Sequence, residues 1–239
     1  LTLDEDNPAA IVVKEGAALN FGQETVLGIG YGSLTFDGNY SYPVNGPMLQ
    51  VEEGGSAVIH SGVTLTNHTN LSSETPGTVY NAGTFTMMDG AAITNGVSPM
   101  AGAVYNTGTF AMEGGRIAGS TGAMPRTKAE LTKATDKLYP GQPKYYYGAG
   151  AVYAAGGSFD MTGGTISGSR GEWGAVAGLD GDLNLTGGTI SGNAAVQSNG
   201  TGEGVPAAYD LTISGYTDTG VPETSEQSDP GSGGGLYLN

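Results

Sequence analysis

Residues 150–173, GAVYAAGGSFDMTGGTISGSRGEW, and residues 174–197, GAVAGLDGDLNLTGGTISGNAAVQ, align without a gap. Gly150 falls on Gly174, Val152 on Val176, Phe159 on Leu183, Met161 on Leu185 and Ile166 on Ile190. Two earlier copies begin at Gly77 and Gly102, and the closing GGLYLN reads as the opening of another. A repeat of about 24 residues with short alternating stretches is the signature of a solenoid. One such unit cannot bury its own apolar face, so neighbouring units must stack.

Within a copy, apolar residues alternate with small ones, the strand period of two. Val104, Phe110 and Met112 are expected inside, with Ala103, Tyr105 and Ala111 outside. Gly-Gly pairs (Gly114-Gly115, Gly163-Gly164, Gly187-Gly188) then supply a tight bend. A third strand follows at Arg116–Ala118, Thr165–Ser167 and Thr189–Ser191. One coil is thus three strands and three bends.

Stacked copies make columns: Val79, Val104, Val152, Val176; Phe85, Phe110, Phe159, Leu183 and then Leu211; Met87, Met112, Met161, Leu185 and then Ile213; Ile93, Ile117, Ile166, Ile190. Asn81 and Asn106 close the first strand and can bond to one another in register, with Asn239 placed to do so again. Upstream, Ala10–Val13, Ala18–Phe21 and Ser33–Phe36 fit a first coil, and Met48–Val51, Ala57–His60 and Val63–Thr66 the next. The count is seven or eight coils in a single domain over residues 1–239, read as a piece of a longer chain and as a monomer in isolation.

Charge narrows the partners. Lys and Arg number eight against 23 acids, a net charge of −15. Five of the eight basic residues lie between Arg126 and Lys144, so no repeat carries the basic stripe that nucleic acid or an anionic membrane requires. No apolar run is long enough to span a bilayer, so membrane insertion is not expected. Cys is absent, which excludes disulfides and thiolate metal sites. A Thr-, Ser- and Gly-rich surface suits an extracellular setting, on a cell surface or secreted.

This three-strand coil resembles the right-handed parallel β-helix, the architecture of pectate lyases and many bacterial surface proteins. Coils reading GAVYNTGTFAMEGG and then TISGN are similar to those of repeat-rich, adhesin-like surface proteins of host-associated bacteria. The resemblance covers Gly77–Gly215 well and Ala10–Asn67 weakly. It implies an all-β fold and an adhesin-like role and is nearly silent on ligand; the acidic, Cys-free repeat, the clustered interruptions and the sparse catalytic set point to a non-enzymatic stalk or adhesin whose partner is a glycan or a host or microbial surface protein. The same fold also carries polysaccharide lyases and glycoside hydrolases.

Five interruptions share one place in the coil, after the third strand and before the next first strand: His68–Pro76, Gly96–Ala101, Thr121–Gly148, Ala194–Pro206 and the acidic Tyr216–Gly234. Stacking lines them along one edge, either a binding face or simply the corner with room. The insertion at 121–148 holds TKAELTKATDKL (Thr127–Leu138), whose apolar spacing between Pro125 and Pro140 predicts a short helix. Tyr145, Tyr146 and Tyr147 follow it, as a sugar-stacking platform or as anchors for that helix. Trp173, the one tryptophan, stands at the same corner, next to Glu172 and close to Arg170; it suits a sugar subsite or a cap on the apolar edge.

Catalytic candidates are sparse. A glycoside hydrolase needs paired carboxylates, and Asp160 with Asp182 is the best pair, both also readable as solvated turn residues. Asp180-Gly181-Asp182 and Asp4-Glu5-Asp6 offer oxygen ligands of the kind Ca²⁺ takes, without a full calcium loop. His60 and His68 lack an obvious third ligand and are read as solvated.

Overall fold

The computed structural model describes residues 10–22, 32–39, 43–124, 145–146, 148–198, 204–207 and 236–238. Those residues form an all-β stack of parallel coils, with no helix among them. The helix expected at Thr127–Leu138, and Leu211, Ile213 and Asn239, lie outside the described residues.

The first sheet joins Ile11–Val13, Leu49–Val51, Val79–Asn81, Val104–Asn106, Val152–Ala155, Val176–Leu179 and Leu236–Leu238 in chain order. The second joins Ala18–Phe21, Ser56–Ile59, Thr84–Met87, Thr109–Met112, Ser158–Met161 and Asp182–Leu185. The third joins Leu34–Asp37, Val63–Thr66, Ala92–Thr94, Arg116–Ala118, Thr165–Ser167 and Thr189–Ser191. All three are parallel throughout, each strand pairing with the same strand of the coil before and after. The seven strands of the first sheet agree with the expected coil count. In the first two coils several strands begin one residue from the expected place, at Ile11, Leu34, Leu49 and Ser56.

The four columns are in register: Val79 on Val104 on Val152 on Val176, and likewise for the Phe, Met and Ile columns. Phe85, Phe110 and Phe159 are 0 % exposed. Their rings stack, with centroids 5.2 and 4.9 Å apart. Burying one such side chain contributes about 1.5–3 kcal/mol, and the ring pairing adds roughly 0.5–1.5 kcal/mol. In the first coil the columns end on Ile11, Leu19, Phe21 and Phe36, which are only partly buried.

Two bends show why small residues recur. The second glycine of each Gly-Gly pair has positive φ (79° at Gly115, 85° at Gly164, 86° at Gly188), and a Cβ on Gly115 would meet the Ala91 carbonyl at 2.6 Å. After the third strand, one left-handed residue turns the chain in successive coils: Asn67, Asn95, Gly119, Gly168 and Gly192.

Polar groups fill the other corners. Asn81 Nδ2 donates to Asn106 Oδ1 at 2.6 Å, and Asn106 Nδ2 donates to the Ser158 carbonyl at 2.7 Å. The expected ladder therefore exists, and it ends where Ala154 takes the next rung. Ala103 departs from expectation. It is fully buried in the main core, because it precedes the strand at a corner where the chain turns inward and alternation does not hold.

The main addition is a fourth sheet. Val97–Ser98, Thr121–Met124, Arg170–Gly171 and Ala194–Ser198 stack in parallel just after the third-strand bend. It runs along the corner where the interruptions leave the coil.

Candidate functional site

At this corner the chain takes two kinds of path. In one coil Arg170–Gly171 is followed almost at once by Val176, the start of the next first strand. In the coils on either side the fourth strand grows into an antiparallel hairpin. Thr121–Met124 pairs with Tyr145–Tyr146, Met124 opposite Tyr145, and Ala194–Ser198 pairs with Gly204–Ala207. The Arg170–Trp173 corner is therefore the short rung between two hairpins.

Trp173 is half-buried there. Its backbone N–H donates to the Gly148 carbonyl at 2.9 Å, and its ring meets Tyr153 with centroids 5.4 Å apart at 36°. It packs on a small apolar cluster of Ala101, Ala149, Tyr153 and Ala177, separate from the barrel core. Ala177 succeeds Tyr153 in register and, being small, leaves room beside the indole. Trp173 thus caps an apolar edge. Arg170 is exposed, and Glu172 is half-buried, which pushes its carboxyl above the usual range.

Beside Trp173 runs a row of aromatic rings on the outer face of the first sheet. Tyr80 stacks on Tyr105 (5.7 Å, 9°), and Tyr105 meets Tyr153 at 5.4 Å. Tyr153 is 2 % exposed, while Tyr80 and Tyr105 are half-buried. Burial, and then the neighbouring Tyr80, push the Tyr105 phenol up. The signal is present in the sequence: VYN, VYN and VYA occupy one place in successive copies. Because these rings face each other, they offer edges and hydroxyls to solvent more than open faces. Of the tyrosine triplet, Tyr145 and Tyr146 lie in a strand whose side chains are not described, and Tyr147 is outside the described residues.

The carboxylate pair is placed on an open face. Asp160 is opposite Asn184, whose Nδ2 donates to Asp160 Oδ1 at 2.8 Å, and Asp182 is opposite Ser158. The two acids are diagonal neighbours on adjacent strands, their Cα atoms roughly 8 Å apart by one rung and two residues of strand. Asp182 is exposed and Asp160 half-buried. Asp180 holds a left-handed turn (φ 54°) beside them. Among the described residues no three His, Cys, Asp or Glu side chains come together as a metal site. Asp4-Glu5-Asp6 lies outside them.

His68 corrects the reading of the sequence. It is not solvated but 1 % exposed, its Nε2 donating to the Gly46 carbonyl at 2.9 Å and its Nδ1 without a partner. Burial lowers its pKa to about 4, against which the backbone bond acts. Further along the same edge, Ser120, Ser169 and Asn193 are likewise buried, and Asn193 Oδ1 accepts from the Ser169 N–H at 2.9 Å. Nothing in the Asn-His-Thr surroundings of His68 signals a side chain that lies inside. His60 is half-buried.

No protein-family model, curated protein or solved structure matches this chain. Among the described residues no helix is long and apolar enough to cross a membrane.

Proposed function

We propose that the chain is a non-enzymatic extracellular β-helix module of a bacterial surface protein, adhesin-like, which binds a glycan or a surface protein through its insertion edge. One observation carries the reading: the barrel repeats closely, and the coils diverge most at the corner of the fourth sheet, where two hairpins flank Arg170–Trp173. Variation gathered mainly at one edge of a regular scaffold is the usual arrangement of a binding face.

The chemistry there suits a sugar or a polar peptide. Trp173 supplies apolar surface with an N–H at its edge, exposed Arg170 supplies donors, and half-buried Glu172 supplies an acceptor. A glycan array probed with the purified chain, with and without Ca²⁺, tests the reading. Binding is expected, and Trp173→Ala is expected to weaken it about tenfold or more. Binding that survives Trp173→Ala, or maps to the barrel faces, refutes the insertion edge.

A carbohydrate-active enzyme is the second reading, favoured by one observation. Asp160 and Asp182 stand diagonally on one face of adjacent strands, where a paired-carboxylate site would need its two acids. No release of reducing ends or unsaturated products is expected from pectins, mucin glycans or glycosaminoglycans. Turnover abolished by both Asp160→Asn and Asp182→Asn would replace the module with the enzyme.

A further inference from the structure

We infer that Asn45-Gly46 is a site of spontaneous deamidation whose isoaspartyl product is felt at the buried His68. Asn-Gly occurs at Asn45, Asn95 and Asn199, the last outside the described residues. The reaction is attack of the glycine N, after loss of its proton, on the asparagine Cγ. A ring imide forms and ammonia leaves. Water then opens the imide at either carbonyl, giving aspartate or isoaspartate. Glycine accelerates the attack because no Cβ blocks the approach. The fold then decides whether the two groups are free to meet.

The two described sites differ in that respect. Asn45 is exposed in a bend, and its side chain makes no hydrogen bond among the described residues. Asn95 is held in a left-handed turn, its Nδ2 donating to Asn67 Oδ1 at 3.2 Å. The Gly96 N–H donates to Ser120 Oγ, and Gly96 lies against the Gly102 carbonyl and Thr78 Oγ1. Attack at Asn95 therefore requires local opening of the stack first. Attack at Asn45 has no side-chain bond to break, although Val44 before it pairs with Thr69 and Leu71 and Gly46 after it is buried.

The product matters because Gly46 is bonded to a buried side chain. Its carbonyl is the partner of His68 Nε2, and His68 Nδ1 has none. An isoaspartyl link inserts one methylene into the main chain immediately before Gly46. It displaces that carbonyl and leaves a buried imidazole without a hydrogen bond. The disturbance reaches Met48 and Leu49, whose N–H groups donate to the Thr78 carbonyl of the next coil.

The test incubates the full chain in mildly alkaline buffer at body temperature. Peptide mapping by mass spectrometry then locates converted sites, with enzymatic methylation marking isoaspartate. Asn45 is expected to convert about tenfold or more faster than Asn95 in the folded protein, and at a similar rate in denaturant. Equal rates in the folded protein, or an Asn45 that stays intact while Asn95 converts, overturn the inference. The isoaspartyl form is expected to exchange its Met48 and Leu49 amides faster than Asn45→Asp, which keeps the native main chain. Equal exchange in the two overturns the link to His68.

Discussion

In the barrel each coil repeats its neighbour, so that Phe110 lies between Phe85 and Phe159 and Ile117 between Ile93 and Ile166. At the corner, successive coils share one or two residues of the fourth sheet and then part. One goes straight from Arg170–Gly171 to Val176, and the coil before it runs from Thr121–Met124 through a hairpin to Val152. The difference follows from what each region must bury. A column residue is enclosed by the coils on both sides, so its size is dictated. A corner loop is enclosed on one side at most, and only its first residues must pair. The barrel therefore keeps one solution while the corner accepts many.

Breaking the barrel should cost most. Phe110→Ala removes a ring from the middle of a filled column and is expected to destabilise by about 3–5 kcal/mol, seen as a lower urea midpoint. Loss under about 1 kcal/mol would mean that the column does not hold the fold.

Acid should act next, through His68. Its folded pKa of about 4 lies below the ordinary 6.5. Below 6.5 the unfolded chain takes up a proton that the folded chain refuses, so this contribution to stability is full above 6.5 and is lost as pH falls toward 4. The loss is on the order of 3 kcal/mol. His68→Gln should flatten that part of the stability–pH curve, and an unchanged slope would show that the imidazole is not held neutral by burial.

A smaller effect is expected at the polar rungs. Asn106→Ala takes one of two acceptors from Asn81 Nδ2, which keeps the Thr109 carbonyl, and removes the amide that donates to the Ser158 carbonyl, a cost of about 1–3 kcal/mol. The same change at exposed Asn184 should fall within about 0.5 kcal/mol, since its bond to Asp160 lies in solvent. Similar costs at both sites would remove the distinction between inside and outside that the ladder implies.

The contrast also explains what can be read from the residues alone. The four columns and the Asn81–Asn106 rung are legible because each position repeats a side chain whose chemistry has one use at that spacing. The fourth sheet is not. Val97-Ser98, Thr121-Gly122, Arg170-Gly171 and Ala194-Ala195 share backbone pairing and no side-chain pattern. Strict alternation points Ala103 outward, and it fails one residue before a strand, where the chain is still turning. The burial of His68 is hidden because it depends on the Gly46 carbonyl, 22 residues away. Trp173 is legible at its corner, yet its neighbour Tyr153 belongs to the ladder of the first sheet, and no local spacing pairs the two.

The barrel is expected to fold without the corner's insertions, and removing the largest of them is the sharpest check. Met124 and Tyr145 are already cross-strand partners, so Arg126–Lys144 can be replaced by a short Gly linker that joins adjacent strand ends. Urea unfolding of this variant should remain a single cooperative transition, with a stability within about 0.5 kcal/mol of the parent and a circular dichroism spectrum still dominated by β structure. A variant that is unfolded, or whose transition is broad and early, would show that the insertion is part of the barrel's stability and would contradict the separation of scaffold from edge.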